Sequence, residues 1–222
     1  MRGIFITVEG GEGAGKSTQS KLLANHLEQS GRVVTLTREP GGTHGAEQLR
    51  ALLVTGNANR WSPISEALLM YAARADHWQK LIEPALANGH VVICDRFADS
   101  SVAYQGYGHG VSLDFFDSLY KNVIGTRKPD RTYVFDLDPG VGLERSCKRL
   151  AAESARESVK EGAENRFESL DVSFHQRVRQ GFMQIAEREP KRCRVIDATS
   201  APEIIEQIIW HDIMGIVDRG IL

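Results

Sequence analysis

The chain has 222 residues, 27 basic against 29 acidic side chains, a net charge of -2 and a composition 41% hydrophobic and 25% charged. That is too apolar and too weakly charged for a disordered chain, and too nearly neutral for broad nucleic-acid binding. A chain of this size can bury roughly 70% of its unfolded surface and needs no disulfide or metal staple. No apolar run approaches the ~18 residues of a membrane span. The N-terminus lacks the apolar core and cleavage site of a signal peptide. Cys94, Cys147 and Cys193 are odd in number and widely spaced, which reads as reduced thiols, with Cys94 buried in a strand, and not as a disulfide or zinc framework. The expectation is a cytoplasmic protein that binds neither nucleic acid nor membrane.

In chain order, the first predicted strand is Gly3 to Glu9. It runs into Gly10-Gly11-Glu12-Gly13-Ala14-Gly15-Lys16-Ser17, a full G-x-x-x-x-G-K-[ST] match that opens a helix over 15–30. Strand, glycine loop and helix N-terminus together define a P-loop. Successive backbone N–H groups and the positive helix end would cradle phosphates through Gly10 to Thr18. Lys16 would reach the β- and γ-phosphates and the Ser17 hydroxyl would ligate Mg²⁺, so the motif implies binding of a nucleoside triphosphate, ATP first. A guanine-specific N/T-K-x-D motif is missing: the nearest match, Arg127-Lys128-Pro129-Asp130, has the wrong first residue and precedes a strand.

A second strand, Arg32 to Thr37, leads into Thr37-Arg38-Glu39-Pro40-Gly41-Gly42-Thr43 and a helix over 45–54 that carries Arg50. The next predicted helix, 62–87, bears Ile64, Leu68, Tyr71, Ala75, Trp78, Ile82 and Ala85 at heptad-like spacing. That stripe fits packing on the sheet, and also a homodimer contact through 62–87. Met70 and Arg74 share another face at i and i+4. The third strand, His90 to Cys94, ends in Asp95-Arg96. A carboxylate at this end of an α/β sheet can hold Mg²⁺ through water, and an arginine can clamp a phosphate. Ser100, Ser101, Tyr104 and Gln105 follow; such side chains read bases and sugars, and equally begin a polar helix.

Further on come a helix over 112–124, a strand from Thr132 to Leu137, helices over 139–156 and 166–188, a short strand Arg194 to Ile196 and a helix over 202–217. The βα alternation implies one parallel sheet covered on both faces, a three-layer α/β/α fold with five strands in a single domain. Residues 145–166 mix arginines and lysines with glutamates; by composition alone they are a solvated helix or loop. The histidines show no metal-ligand spacing, and His77 and His175 read as core or surface residues. Trp61, Trp78 and Trp210 read as packing residues.

Over essentially its whole length the sequence resembles the bacterial thymidylate kinase (dTMP kinase) family. The segments that carry this are ITVEGGEGAGKSTQ (6–19), TREPGGT (37–43), LLMYAAR (68–74), CDRFADSSVAYQG (94–106), KPD (128–130), FHQRVRQGF (174–182) and IDAT (196–199). The resemblance implies transfer of the ATP γ-phosphate to dTMP, with Mg²⁺, on the path to dTTP. It implies that Glu12 meets the deoxyribose 3′-hydroxyl, Arg96 holds the acceptor phosphate, Arg74 reads a thymine carbonyl, and Ser101 and Gln105 hydrogen-bond the base. Tyr104 would pack under the sugar, with Glu39 and Arg50 lining the same pocket and Ser17 and Asp95 serving the metal. Met70 stands where the family usually stacks an aromatic on thymine. Ala14 stands where one branch of the family has a catalytic arginine in the P-loop. A mobile lid at about 145–166 is therefore expected to supply that charge, from Arg149 first, with Arg156 and Arg166 in reserve. Asn165 replaces the aspartate of a D-R-F-E pattern at 165–168. Asp136 is left open between a role behind the metal and a structural turn, and Asp197-Ala198-Thr199 resembles the loop on the adenine side.

Overall fold

The computed structural model describes residues 3–156 and 166–217. Five strands form one parallel sheet: β1 (Ile4–Gly10), β2 (Val34–Arg38), β3 (Val91–Asp95), β4 (Arg131–Asp136) and β5 (Cys193–Asp197), in the spatial order β2-β3-β1-β4-β5. The registers pair Ile4 with Val91 and Ile6 with Arg131. Each predicted strand lies within one or two residues of an observed one, because β-branched runs bounded by turn residues suit a sheet buried on both faces.

Alternation along β1 explains the two flanking layers. Ile4, Ile6 and Val8 face α1 (Lys16–Gln29) and α9 (Pro202–Val217), sharing a core with Leu23, Leu27, Ile209 and Ile213. Phe5 faces the opposite side, among Trp78, Ile82, Val92 and Phe97. On that side α8 (Val172–Arg188) packs Phe174, Val178 and Phe182 against Val134 and Tyr104. Thr7 and Thr132, buried on neighbouring strands, share a hydrogen bond of 2.7 Å.

The predicted helix 62–87 is one helical rod with a change of winding. It runs as α3 (Pro63–His77), a wider π-helical turn (Trp78–Ile82) and α4 (Glu83–Ala87). Ser62 caps it, accepting from the Ser65 N–H. The heptad-like stripe does not stay on one surface. Trp78, Ile82 and Ala85 are buried on the sheet, whereas Ile64 and Leu68 are 55% and 47% exposed. The stripe is thus not one continuous contact face. α2 (His44–Val54) packs beside α3 and adds the exposed Leu52.

The stretch after β3, for which a polar helix start was one of two readings, is helical: α5 (Ala98–Ser101) passes directly into π-helical turns over Val102–Gly108. Its glycines and β-branched Val102 are poor helix formers. Packing against α8 holds it instead. α6 (Leu113–Val123) and α7 (Pro139–Arg156) complete the order. The predicted helix 166–188 begins late, at Val172, with Asp171 accepting from the Phe174 N–H at 2.7 Å; residues 166–169 form a turn. Residues 145–156 of the expected lid belong to α7; Glu164, Asn165 and the Arg156 side chain lie outside the described residues. No described helix is long and apolar enough to cross a membrane.

Candidate active site

The strand order reverses at β1, whose neighbours β3 and β4 lie on either side, and a crevice opens there at the carboxyl ends of the strands. A cleft of about 1180 Å³ occupies it, walled by the glycine loop, the β3 end, α3, the π-helical turns and α7.

The glycine loop follows β1 and ends at Gly15, the left-handed (φ 86°) residue before α1. Gly13 is left-handed too (φ 64°), and a Cβ there would lie 2.1 Å from the Gly142 carbonyl oxygen on α7. Loop and helix therefore meet backbone to backbone, which fixes α7 over the cradle. Lys16 is buried and donates to the Gly11 carbonyl at 2.6 Å. Burial, reinforced by the Arg96 charge, brings its ammonium down to about 8 despite the nearby carboxylates. Ser17 donates its hydroxyl to Asp95 at the β3 end.

Arg96 adopts a left-handed backbone (φ 68°), an uncommon conformation for a residue with a side chain. Its guanidinium donates to the Gly10 carbonyl at 2.9 Å and takes both Glu12 oxygens at 2.9 and 3.0 Å. Tyr104 lies under it, ring centroid 5.0 Å away, and donates its hydroxyl to Glu12 at 2.7 Å. Burial pushes the Glu12 carboxyl up, but the Arg96 and Lys16 charges outweigh it and hold the group at about 2. The Tyr104 phenol is pushed far above its ordinary range, chiefly by burial.

Deeper in the cleft, Arg74 is buried and donates to Glu39 at 2.7 Å, to the Phe97 carbonyl at 3.0 Å and to Ser101 at 3.1 Å. Glu39 also bonds His77 at 3.1 Å. Glu39, His77 and Cys94 thus gather three metal-ligand types within 4.8 Å, a cluster the sequence spacing did not show. It does not read as a metal centre. Arg74 neutralises the glutamate, and burial raises the Cys94 thiol, which donates to the Arg96 carbonyl at 3.0 Å. His175 is likewise a buried structural group, bonded to the Phe167 carbonyl at 3.1 Å.

The profile of the thymidylate kinase family matches residues 8–209. The chain belongs to the thymidylate kinase family. It is 49% identical to the thymidylate kinase of Caulobacter vibrioides over 208 residues, 94% of each chain, and 47% identical to that of Cereibacter sphaeroides over 205 residues, 92% of this chain and 91% of the relative. The crystal structure of thymidylate kinase from Ehrlichia chaffeensis matches with a TM-score of 0.74 at 35% identity, covering 96% of this chain and 99% of that one.

The three-layer fold expected of a thymidylate kinase is the fold observed. Of the residues expected to serve it, Glu12 through Thr18, Glu39, Arg50, Met70, Arg74, Asp95, Arg96, Ser101, Tyr104, Gln105 and Arg149 all line the one cleft. Met70 faces it, while Tyr71 is buried beside Phe116 and under Arg74. Gly10 and Gly11 contribute carbonyls to Arg96 and Lys16. Arg50 donates to the Pro40 carbonyl at 2.8 Å. Arg149 extends from α7 and donates to Ser146 at 3.4 Å, one turn away from Arg145 in the same wall.

Arg166 needs correction as a reserve catalytic arginine. Its guanidinium is buried, paired with Glu66, and donates to the carbonyls of Leu53 (3.0 Å), Ala58 (2.9 Å) and Asn57 (3.2 Å). It is committed away from any phosphate. Asp136 takes the structural alternative, accepting from Arg179 at 2.6 and 3.0 Å and so tying β4 to α8. Asp197 folds its own turn through the Thr199 N–H and hydroxyl, and the Ala198 carbonyl meets Arg145 at 3.4 Å.

Sequence reasoning missed Glu9. It is fully buried on β1 and accepts from the Phe97 N–H at 2.8 Å and the Ser100 hydroxyl at 2.6 Å, while Ser100 in turn receives Arg96 at 3.3 Å. Burial and the Asp99 charge raise its carboxyl to about 7. The available signal was a charged residue in an otherwise apolar central strand. Arg145 and Glu168 were missed as cleft-lining residues. Burial, aided by the Glu12 charge, raises the Glu168 carboxyl.

Proposed function

We propose that this chain is a cytoplasmic dTMP kinase that transfers the γ-phosphate of ATP to dTMP, giving dTDP and ADP on the path to dTTP. The reading rests on Gln105. Its amide NH₂ donates to Glu66 at 2.8 Å, and its buried carbonyl oxygen has no partner among the described residues. A buried acceptor without a donor costs ~1–3 kcal/mol. Thymine, whose N3 carries a hydrogen, supplies that donor; cytosine, whose N3 is a lone pair, does not. Membership in the thymidylate kinase family supports the same acceptor.

The remaining roles follow from the chemistry of each group. The loop from Gly10 to Thr18 holds the ATP phosphates, with Lys16 on the β- and γ-oxygens. Arg96 exchanges its two bonds to Glu12 for the acceptor phosphate, since a dianion competes well for a guanidinium fork. The Glu12 carboxylate, released on one side, accepts the 3′-hydroxyl, and the Tyr104 ring lies under the sugar. Arg74 and Ser101 address the base, with Met70 as a thioether against its π-face and Glu39 and Arg50 framing the pocket. Ser17 and Asp95 are adjacent oxygen donors beside Lys16, which suits a hard ion that keeps several waters; they would hold Mg²⁺. That ion, when bound, neutralises charge between the β- and γ-phosphates.

The nucleophile is a phosphate oxygen, mostly ionised at neutral pH given a second pKa near ~6. No strong general base is needed, and catalysis reduces to alignment and charge neutralisation. Ala14 brings no cation into the loop, so Arg149 completes the charge, in a single domain whose residues 145–166 act as a lid. The decisive measurement is ADP release across dTMP, dUMP, dCMP, GMP, AMP and no acceptor. Dependence on dTMP above the others is expected. Equal or better use of another monophosphate, or acceptor-independent hydrolysis, would replace the reading with a different nucleotide kinase or a regulatory ATPase. The exposed Ile64, Leu68 and Leu52 further support a homodimer through the 62–87 region; a monomeric mass by light scattering at micromolar protein would remove it.

A further inference from the structure

We propose that Glu66 and Arg166 are positioning residues that set the base preference of the cleft, by deciding which end of the Gln105 amide faces it. The proposal rests on the dTMP reading above. Glu66 lies in the first turn of α3, Gln105 in the π-helical turns, and Arg166 in the turn before α8. The three are buried to 1%, 1% and 2% exposure. One Glu66 oxygen pairs with Arg166; the other accepts from the Gln105 NH₂ at 2.8 Å and has the His109 ring 3.8 Å away.

A carboxylate has no hydrogen to give. An amide beside it must therefore turn its NH₂ toward the carboxylate and its oxygen away. Either rotamer of a free glutamine side chain would be nearly equal in energy; here the Glu66 charge chooses one. Arg166 keeps that charge in place, because a buried carboxylate without a cation is unstable. The arginine is itself held by the carbonyls of Leu53, Asn57 and Ala58, and by the Phe167 ring 5.1 Å away. Base selection is thus relayed from a residue that never touches the base. Reversing the amide would offer hydrogens to the cleft, which suits the N3 lone pair of cytosine and repels the N3–H of thymine.

The test compares dTMP with dCMP in steady-state assays on the full chain. Glu66→Gln keeps the shape but can donate to the Gln105 oxygen, so the amide is free to reverse. The ratio of kcat/KM for dTMP over dCMP is expected to fall ~10-fold or more, the equivalent of one charge-assisted hydrogen bond. The change should sit mainly in the dTMP KM, with kcat nearly unchanged, because uniform binding is what is lost. If Glu66→Gln does not fold, Glu66→Asp withdraws the carboxylate by one methylene and should lower the same ratio. Arg166→Met removes the charge opposite Glu66 and should lower the same ratio, whereas Arg166→Lys keeps that charge, loses the carbonyl contacts and should melt lower with the ratio unchanged. An unchanged ratio in folded Glu66 variants, or an equal loss for all acceptors, would overturn the inference. Failure of the wild-type chain to use dTMP at all would instead overturn the reading beneath it.

Discussion

The phosphate end and the base end of the cleft are built by different means. At the phosphate end, one contiguous run from Gly10 to Thr18 supplies the cradle, and Gly13 meets Gly142 of α7 so closely that a Cβ would have no room between them. At the base end, side chains from the segment after β2, from α3, the π-helical turns and the turn at 166–169 converge, with two buried ion pairs: Arg74 with Glu39 and Arg166 with Glu66. In the first kind of site a backbone cradle admits no change of path, and the charged side chains around it act on the phosphates directly. In the second, each buried charge depends first on its protein partner.

The strongest probe of this contrast is Arg149→Ala. It removes a side chain from the phosphate end without touching the cradle, and kcat should fall ~10³-fold or more, as for other arginine fingers. A kcat within a few-fold of wild type would move the role to Arg145 or Arg156. Gly13→Ala attacks the backbone contact itself. The added methyl has no room before the Gly142 carbonyl, and the resulting displacement should cost ~10²-fold in kcat/KM for ATP. Wild-type kinetics in that variant would show that the approach of α7 is not needed.

Glu9 sharpens the comparison because it stands between the two ends. Its folded carboxyl titrates near 7, above the ordinary carboxylate range. The folded state therefore holds a proton that the unfolded state has released, and the stability it contributes is full below about 4.5 and lost as pH rises through about 7. Glu9→Gln abolishes that dependence. Relative to wild type, the variant should gain on the order of 2 kcal/mol between pH 5 and pH 8, read from urea unfolding at both values. A parallel pH dependence in the two proteins would place the titration elsewhere. The smallest effect belongs to Lys148→Ala, which breaks an exposed i,i+4 pair with Glu144 on α7. Thermal melting should register less than ~0.5 kcal/mol.

The contrast also explains what the sequence disclosed. The P-loop was legible because its residues are consecutive and each has a fixed backbone duty. The five strands were legible because a doubly covered parallel sheet demands apolar, β-branched runs. Residues 98–108 were legible as a helix only as one of two readings, since Val102, Gly106 and Gly108 disfavour one and packing on α8 holds it. Neither was Arg166. By spacing it belonged to a basic run that resembled a lid, and nothing local records that its partner is Glu66. The heptad-like stripe on 62–87 meets several surroundings: Ile64 and Leu68 are exposed, Tyr71 packs on Phe116, and Trp78, Ile82 and Ala85 pack with Phe5 of the sheet, which spacing alone does not record.

The central place of β1 also constrains how the chain is made. Its first partner in the sheet is β3, with Ile4 beside Val91, and its other neighbour comes later, with Ile6 beside Arg131. At ~5–20 residues per second, on the order of 10 s passes between synthesis of β1 and the appearance of any strand that can pair with it. Throughout that interval an apolar strand and its glycine loop have no sheet to join. The segment with the plainest motif is thus the first strand made but must wait for the middle of the chain before it can pair, and it depends on remaining unaggregated until then.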